Sequence, residues 1–558
     1  MKRFLCFILA VVCVLATACV LPSNGNVSVA SAAGEESEEL VPVKDIAEVH
    51  IDISTSIIRE SYRDCAIRVI DVYGNVVEDK DSSIKIRGNS TSSGAKKPYN
   101  FKFSGKTEIL GMGKAKKWCL LANCYEKTLF RNEMVFDFAR NSTVLQYTPD
   151  SRFVDVYLNG VLQGNYILCE AVEASSSRVN IDIDNGEYLI ERDVREDEDT
   201  VYIQSPLYGI RFGINEPEEP TQAQTDELER MLYKAEKALD SRNISEIEKY
   251  FDIESIVDFY IVLEYFKQVD VSVGSTRFYI KNGKIYGGPV WDFDLTMGNC
   301  LASYYTVYNN VGGSGKSCEG IYCNVDWFRY FNLVPEFEKM RNERYLELQS
   351  EIVNLYTDTG VGKNYMDTVL DTYGDSFARN YDEAGWKVDV VYSSLERIPD
   401  KTYEQNVAYL RTWLRERNEW MLKNWGLDSQ NTVSAKSDSG ITLDEAFVYG
   451  LKEGVAEKDC AKLFNQSVTF NTVSGKVGTG STVKNGGMEY TFIVLGDING
   501  NGKVDANDYM LVKRHFLGTY ELDNIGFAAG DCNGDGKISA NDYFIIRRHV
   551  IGTYDIYK

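Results

Sequence analysis

The sequence predicts a multidomain α+β protein, on three observations. From residue 46 to about 212 short alternating runs such as "IKIRG", "YNFKF", "FVDVYLNG" and "GEYLIERD" read as strands. After the "EPEEP" break, apolar residues recur at three- and four-residue spacing in "TDELERMLYKAEKALDS" and "EIEKYFDIESIVDFYIVLEYFK", which predicts long helices. At the C-terminus one loop-helix unit is written twice: "DINGNGKVDANDYMLVKRHFLGTY" from residue 497 and "DCNGDGKISANDYFIIRRHVIGTY" from residue 531 agree at 14 of 24 positions, a period of 34.

In chain order, "MKR" precedes the apolar run Phe4 to Val20, and "ASA" at 30–32 offers a cleavage site, so residues 1–32 read as an export signal peptide. Lipid anchoring at Cys19 is the weaker alternative, because the alanine three residues earlier fits lipoprotein signals poorly. Residues 33–45 form an acidic linker, and 46–428 the main domain. Within it a hairpin turning at Asn282-Gly283 spans about 277 to 292. Helices resume from 326 to 425 after the loop "NNVGGSGKS". Residues 433–494 read as a small α/β or β-rich spacer module: a short helical stretch, "LDEAFVYGLKEG", then strands around "SVTFNTV" and "GSTV". Residues 495–558 hold the repeats, and no segment beyond the leader is long and apolar enough to span a bilayer.

Composition narrows the chemistry. A 44% hydrophobic content over 558 residues supports a substantial core, and a formal charge of -23 disfavours nucleic acid and anionic membranes as partners. Three of twelve cysteines lie in the leader; the other nine, an odd number without CxxC spacing, read mostly as buried thiols. Only three histidines occur, and none between residues 51 and 514, which removes Ser-His-Asp and Cys-His nucleophiles and histidine-bound zinc from that span. Paired-carboxylate glycoside hydrolysis and magnesium-assisted phosphoryl transfer remain.

The repeated loop has calcium geometry. Asp497, Asn499, Asn501, Asp505 and Asp508 place oxygens at positions one, three, five, nine and twelve, and Gly502 at position six permits the sharp turn. An EF-hand would have a helix leading in, yet "MEYTFIVLG" reads as a strand. Tyr509, Leu511, Val512, Phe516 and Leu517 give one helix an apolar face, mirrored by Tyr543, Ile545, Ile546, Val550 and Ile551.

In the main domain the informative stretch is "FYIKNGKIYGGPVWDFDLTMGN". On a strand Asp292 and Asp294 would point to one face and reach one hard cation. Asp270, at the end of a helix 22 residues earlier, stands where a protein kinase keeps its base relative to its magnesium ligand. Between residues 80 and 140 there are 13 Lys and Arg against 5 Asp and Glu. Lys85 and Arg87 share a strand face there, and a Gly/Ser/Thr loop leads to Lys96, Lys97 and Lys102, a pattern that suits phosphate oxygens or a solvated basic face.

Two resemblances follow from these residues. Residues 495–558 resemble a type I dockerin, an all-α calcium-binding domain with two loop-helix repeats that plugs into cohesin modules of a cellulosomal scaffoldin. The resemblance implies Asp497, Asn499, Asn501, Asp505 and Asp508 around one Ca2+ and Asp531, Asn533, Asp535 and Asp542 around the other, with Ser539 at position nine acting through water. The carbonyls of Lys503 and Lys537 complete each shell. It also implies cohesin contacts at Ala506, Asn507, Ala540 and Asn541 and at Lys513, Arg514, Arg547 and Arg548, their near symmetry implying two binding orientations. Residues 46–428 resemble the CotH family of spore-coat-type atypical protein kinases, through "IKIRGNST", "KKPYNFKF", "LLANCYEKTLFRNEM", "VYLNGVLQGNYILCEAVE" and "GGPVWDFDLTMGN".

That second resemblance implies a two-lobed kinase-like domain using ATP and Mg2+ to phosphorylate protein Ser/Thr. Asp270 becomes the base and Asp292 and Asp294 metal ligands; Arg87, Lys97 and Lys102 become phosphate contacts; and Arg131, Asn132 and Glu170 support the nucleotide pocket. The asparagine that kinases keep after the base is replaced by Ser275, Thr276 and Arg277, which leaves Asn299 as a substitute ligand. The expected setting is extracellular and cellulosome-associated. A noncatalytic adhesion or scaffold accessory and a glycan-active enzyme of polysaccharide catabolism are the alternatives.

Overall fold

Alternation in the first strands becomes the inside and outside of a closed barrel. The computed structural model describes residues 41–195, 200–301, 315–358, 363–428, 433–444, 446–472, 475–486 and 488–558; the expected signal peptide, residues 33–40 of the linker and most of "NNVGGSGKS" lie outside them. Strands β1 (Ala47–Asp52), β2 (Arg63–Ile70), β3 (Val76–Ile86), β4 (Tyr99–Ile109), β5 (Met112–Leu121), β6 (Ser151–Leu158) and β7 (Val161–Glu170) pair in the order β1-β2-β3-β4-β5-β7-β6. The ring closes where β1 runs parallel to β6, Val49 opposite Val156. Val49, Ile51, Ile67, Phe101, Trp118, Leu120, Val156 and Leu168 fill the interior. Cys119, Leu121, Phe153, Ile167 and Cys169 alternate with them and enter a second, larger core, so this wall is apolar on both faces.

The second core lies between a sheet and long helices. Strands β8 (Tyr188–Arg192), β9 (Val201–Gln204), β10 (Arg211–Glu216), β11 (Thr276–Lys281) and β12 (Lys284–Gly287) pair in the order β12-β11-β8-β10-β9. Helix Ile253–Tyr265 is apolar almost all round and is buried along nearly its whole length, starting at Asp252, whose side chain accepts from Ser255 N. Helices Gln222–Asp240 and Tyr403–Asn424 each open on a Thr/Gln capping box. Barrel and helices are joined by polar contacts to helix Tyr365–Asp382, where Arg379 Nε donates to Asp155 at 2.9 Å. No helix among the described residues is long and apolar enough to cross a membrane.

Two expected elements are replaced. The strand that would carry Asp292 and Asp294 does not form: β12 ends at Gly287, Pro289 has no N–H for a ladder, and the chain continues without regular structure, with Asp292 at φ +70°. Asp270 likewise lies in a turn five residues beyond its helix. In the small module, the described residues of "LDEAFVYG" are not helical but contribute to strands β13 (Thr442–Asp444) and β14 (Phe447–Tyr449). The aromatic and β-branched run Phe447-Val448-Tyr449 fits a pleated surface and pairs in parallel with the later strand "MEYTF". With β15 (Thr469–Asn471), β16 (Thr482–Asn485) and β17 (Met488–Phe492) they form a sheet in the order β13-β14-β17-β16-β15 over Val448, Cys460, Phe464, Val483 and Phe492.

Past β17 come helices Ala506–Phe516, Asn524–Gly530 and Ala540–Val550 around Ile498, Val504, Val512, Leu522 and Ile546. The two repeat helices meet through Tyr509 and Tyr543, ring centroids 5.6 Å apart. Leu517 and Ile551, expected on the packed faces, stand 57% and 62% exposed. They belong to an outer surface instead.

Candidate functional site

One buried amide holds the acidic segments of the main domain together. Gln268 Nε2 donates to the carbonyls of Trp291 and Asp292, both at 2.9 Å, while its Oε1 accepts from Asp270 N at 3.1 Å. Asp270, Asp292 and Asp294 therefore line one solvent-open cleft together with Arg87, Arg195, Ser275, Arg277 and the backbone turn Gly88–Thr91. Burial, then the Asp292, Glu126 and Asp270 carboxylates around it, push the Asp294 carboxyl well above the usual range. Ser275 Oγ donates to Asp292 Oδ2 at 2.9 Å, and both residues have left-handed backbone, φ +59° and +70°. Such geometry in non-glycine residues concentrates at sites where the surrounding structure enforces it.

Cations oppose this acidic floor. Arg195 Nη2 lies 3.4 Å from Asp270 Oδ2; Arg277 pairs with Glu191 at 2.9 Å; and Arg87 and Arg277 flank the Trp291 ring at 5.1 and 5.4 Å. Glu191 also accepts from Ser275 N at 2.8 Å, which fixes the turn carrying that serine. Glu191 and Arg195 were not singled out in the sequence. Their signal is the charged end of an otherwise apolar strand, "YLIERDVR", at the tip of β8.

The remaining expected residues divide. Asn132 lines a smaller pocket that adjoins the cleft and shares Arg87, Asp292 and Asp294 with it, and its Oδ1 accepts from Phe293 N at 2.7 Å, so it supports the Asp292–Asp294 segment from below. Lys97 does not line the cleft; its Nζ donates to Ser92 O at 2.9 Å and braces the 88–98 loop from behind. Lys102 sits over the Tyr62 ring at 4.2 Å on the barrel wall, and Lys96 is buried against helix Tyr365–Asp382. Arg131 is sequestered in a 2.8 Å ion pair with Glu126, and Glu170 accepts from Asp150 N at 3.0 Å beside Arg178. Asn299 is buried and donates to Tyr125 O and Asp294 O at 2.9 and 2.7 Å, holding the backbone of the acidic segment rather than facing the cleft. Lys97, Lys102, Arg131, Glu170 and Asn299 are thus outside the cleft because each is occupied by a structural partner.

The C-terminal loops fold back on their own first carboxylates. Asp497 accepts from Asn501 N and Gly502 N at 3.1 and 2.9 Å, and Asp531 from Asp535 N and Gly536 N at 3.1 and 2.8 Å. Asp508 accepts from Ile498 N, Asn499 N and Asp505 N, while Asp542 accepts from Cys532 N and Ser539 N, closing each loop on the start of its helix. Asn499 and Asn501, and Asn533 and Asp535, turn their oxygens inward to the backbone of the loop. Among the described residues no three His, Cys, Asp or Glu side chains alone stand close enough to hold an ion. Calcium in these loops would take a mixed set, the Asn oxygens and the expected Lys503 and Lys537 carbonyls beside the carboxylates. Ala506, Asn507, Arg514, Ala540, Asn541, Arg547 and Arg548 are exposed and Lys513 is half-buried. Leu517 with Ile551 and Tyr520 with Tyr554 add exposed apolar pairs at the same 34-residue offset.

A family model described as CotH kinase protein matches residues 84–421, and one described as Dockerin type I domain matches residues 495–551. No curated protein matches the chain.

Proposed function

Because the chain belongs to the CotH kinase protein family and ends in a type I dockerin, we propose that it is a secreted, cohesin-docked protein kinase. The dockerin brings calcium binding and cohesin docking, and with them association with a cellulosome. The kinase reading rests on one observation: Gln268 draws Asp270 and the Asp292–Asp294 segment into a single cleft that also holds Arg87 and the Gly88–Thr91 turn.

The donor set suits the expected cofactors. Oxygen-only carboxylates select a hard cation, and the Asp294 carboxyl, raised by burial and then by its carboxylate neighbours, is a charge that such a cation would stabilise. Asp292 and Asp294 would hold Mg2+; Arg87 and the backbone of Gly88–Thr91 would hold nucleotide phosphates. Magnesium, when bound, neutralises charge on the phosphate oxygens. Asp270 would accept the proton of a protein Ser or Thr hydroxyl, and Arg195, its ion-pair partner, would orient it. Ser275 takes the place of the missing kinase asparagine by fixing the Asp292 carboxylate.

The test is phosphate transfer from labelled ATP with magnesium to a cohesin-bearing scaffold protein. Asp292→Ala should reduce transfer at least about a hundredfold, as expected when transition-state electrostatics are removed. Undiminished transfer in that variant would refute the metal site. The Arg195–Asp270 ion pair favours a second reading, a noncatalytic accessory in which the base is held closed. Absence of any thermal stabilisation by ATP with magnesium would select it.

A further inference from the structure

The two calcium loops share their ligand pattern, yet the structure surrounds them differently. We infer that the small module of β13–β17 forms part of the first calcium site, so that loop 497–508 releases its ion more slowly than loop 531–542.

Three contacts carry this. The turn between β15 and β16 lies on the first loop: Thr479 N donates to Asp497 Oδ2 at 3.1 Å, in addition to the donor that oxygen takes from Gly502. The approach is backbone against backbone. A Cβ at Gly478 would stand 2.6 Å from Asp497 Oδ2 and from Gly502 N, and one at Gly500 would stand 2.4 Å from Thr479 O. Second, Gly454 N donates to Gly502 O at 2.8 Å, and the adjacent Glu453 accepts from Val504 N at 2.6 Å. Third, the other oxygen of Glu453 meets His549 Nε2 at 3.1 Å, fastening the end of the last helix to the same module.

Among the described residues loop two takes none of these hydrogen bonds: Asp531 and Gly534 share only an open pocket with the module residues Tyr449 and Lys452. Asp531 accepts from Asp535 N and Gly536 N, the equivalents of Asn501 and Gly502, and among the described residues it takes no third donor. Asp531 is half-buried and Gly536 exposed, whereas their first-loop equivalents Asp497 and Gly502 are buried. An ion in the first loop leaves only when the module lifts away; one in the second leaves by local opening of a surface loop. A hydrogen bond to a carboxylate ligand also fixes its orientation, and second-sphere contacts of this kind raise metal affinity. Falling calcium would therefore unload loop 531–542 first, leaving the cohesin surface built on the first repeat as the persistent one.

The inference is tested on the full chain loaded with calcium and mixed in a stopped-flow instrument with a fluorescent calcium chelator. Two release phases are expected, the slower by at least about tenfold, the size expected for losing one hydrogen bond to a charged group. Asp531→Ala should abolish the fast phase. Glu453→Ala should bring the slow phase toward the fast one and leave the fast rate unchanged, and Gly478→Ala, which crowds the contact without removing a charge, should act in the same direction. A single phase in the unmodified chain, loss of the slow phase in Asp531→Ala, or a slow phase unchanged in both module variants would overturn the inference.

Discussion

Lys96 is fully buried between the barrel and helix Tyr365–Asp382, donating to Asn165 O and, at 2.8 Å, to Asn380 Oδ1, with the Tyr166 ring 4.4 Å away. Burial lowers its ammonium from the ordinary 10.5 to about 7. Between those two values the unfolded chain carries a proton that the folded chain has released, so stability rises with pH across the window by up to about 1.4 kcal/mol per unit. Below it both states are protonated and the gain is absent. Urea midpoints read by tryptophan fluorescence should climb from pH 7 toward higher pH, and Lys96→Met should flatten that climb by about one proton. Parallel slopes would contradict the burial. In the sequence Lys96 was indistinguishable from its neighbours Lys97 and Lys102, because a run of basic residues does not record which one turns inward. Gln268 was equally silent: a glutamine after an apolar helix has no chemical signature until its partners are fixed.

Helices Ile253–Tyr265 and Tyr403–Asn424 are joined by a wholly buried pair, Arg417 to Glu264 at 2.6 Å. Glu264 also accepts from Tyr322 N and Cys323 N, and Arg417 donates to Cys318 O and Gly320 O, so the pair clasps the segment between them. Arg417→Met leaves Glu264 charged without its cation and should cost about 3–5 kcal/mol in urea unfolding. Adding Glu264→Gln should recover part of that loss; equal stability of the single variant and the unmodified chain would show the pair to be dispensable. At this scale the sequence conveyed helices well, since a long 3.6-residue period has few competing explanations. It misplaced short elements. "LDEAFVYG" mixes helix-forming Leu, Glu and Ala with strand-forming Phe-Val-Tyr, and only the pairing with β17 decides between them. A strand is expected at the acidic segment, where it would set Asp292 and Asp294 on one face, but Gly288-Pro289 breaks the ladder first.

Across the whole molecule the repeat was the most legible feature, because a ligand spacing written twice leaves little freedom, whereas the barrel's closure depends on β1 meeting β6 across a hundred residues and leaves no local trace. All seven tryptophans lie between residues 118 and 425. Calcium removal by a chelator should therefore abolish cohesin binding and the helical signal of the C-terminal domain while the tryptophan-reported transition stays in place; a shifted transition would mean the two ends unfold as one unit. The seam between β1 and β6 has a practical consequence for anyone cutting the gene. A fragment trimmed to residues 84–421 would begin inside β3 and lose β1 and β2 entirely. It would expose the naked margins of the remaining β3 stub, Ile84–Ile86, and of β6, which invite neighbouring chains to add strands and precipitate. Recombinant boundaries for the phosphotransfer assay belong upstream of Ala47, where the ring is still whole.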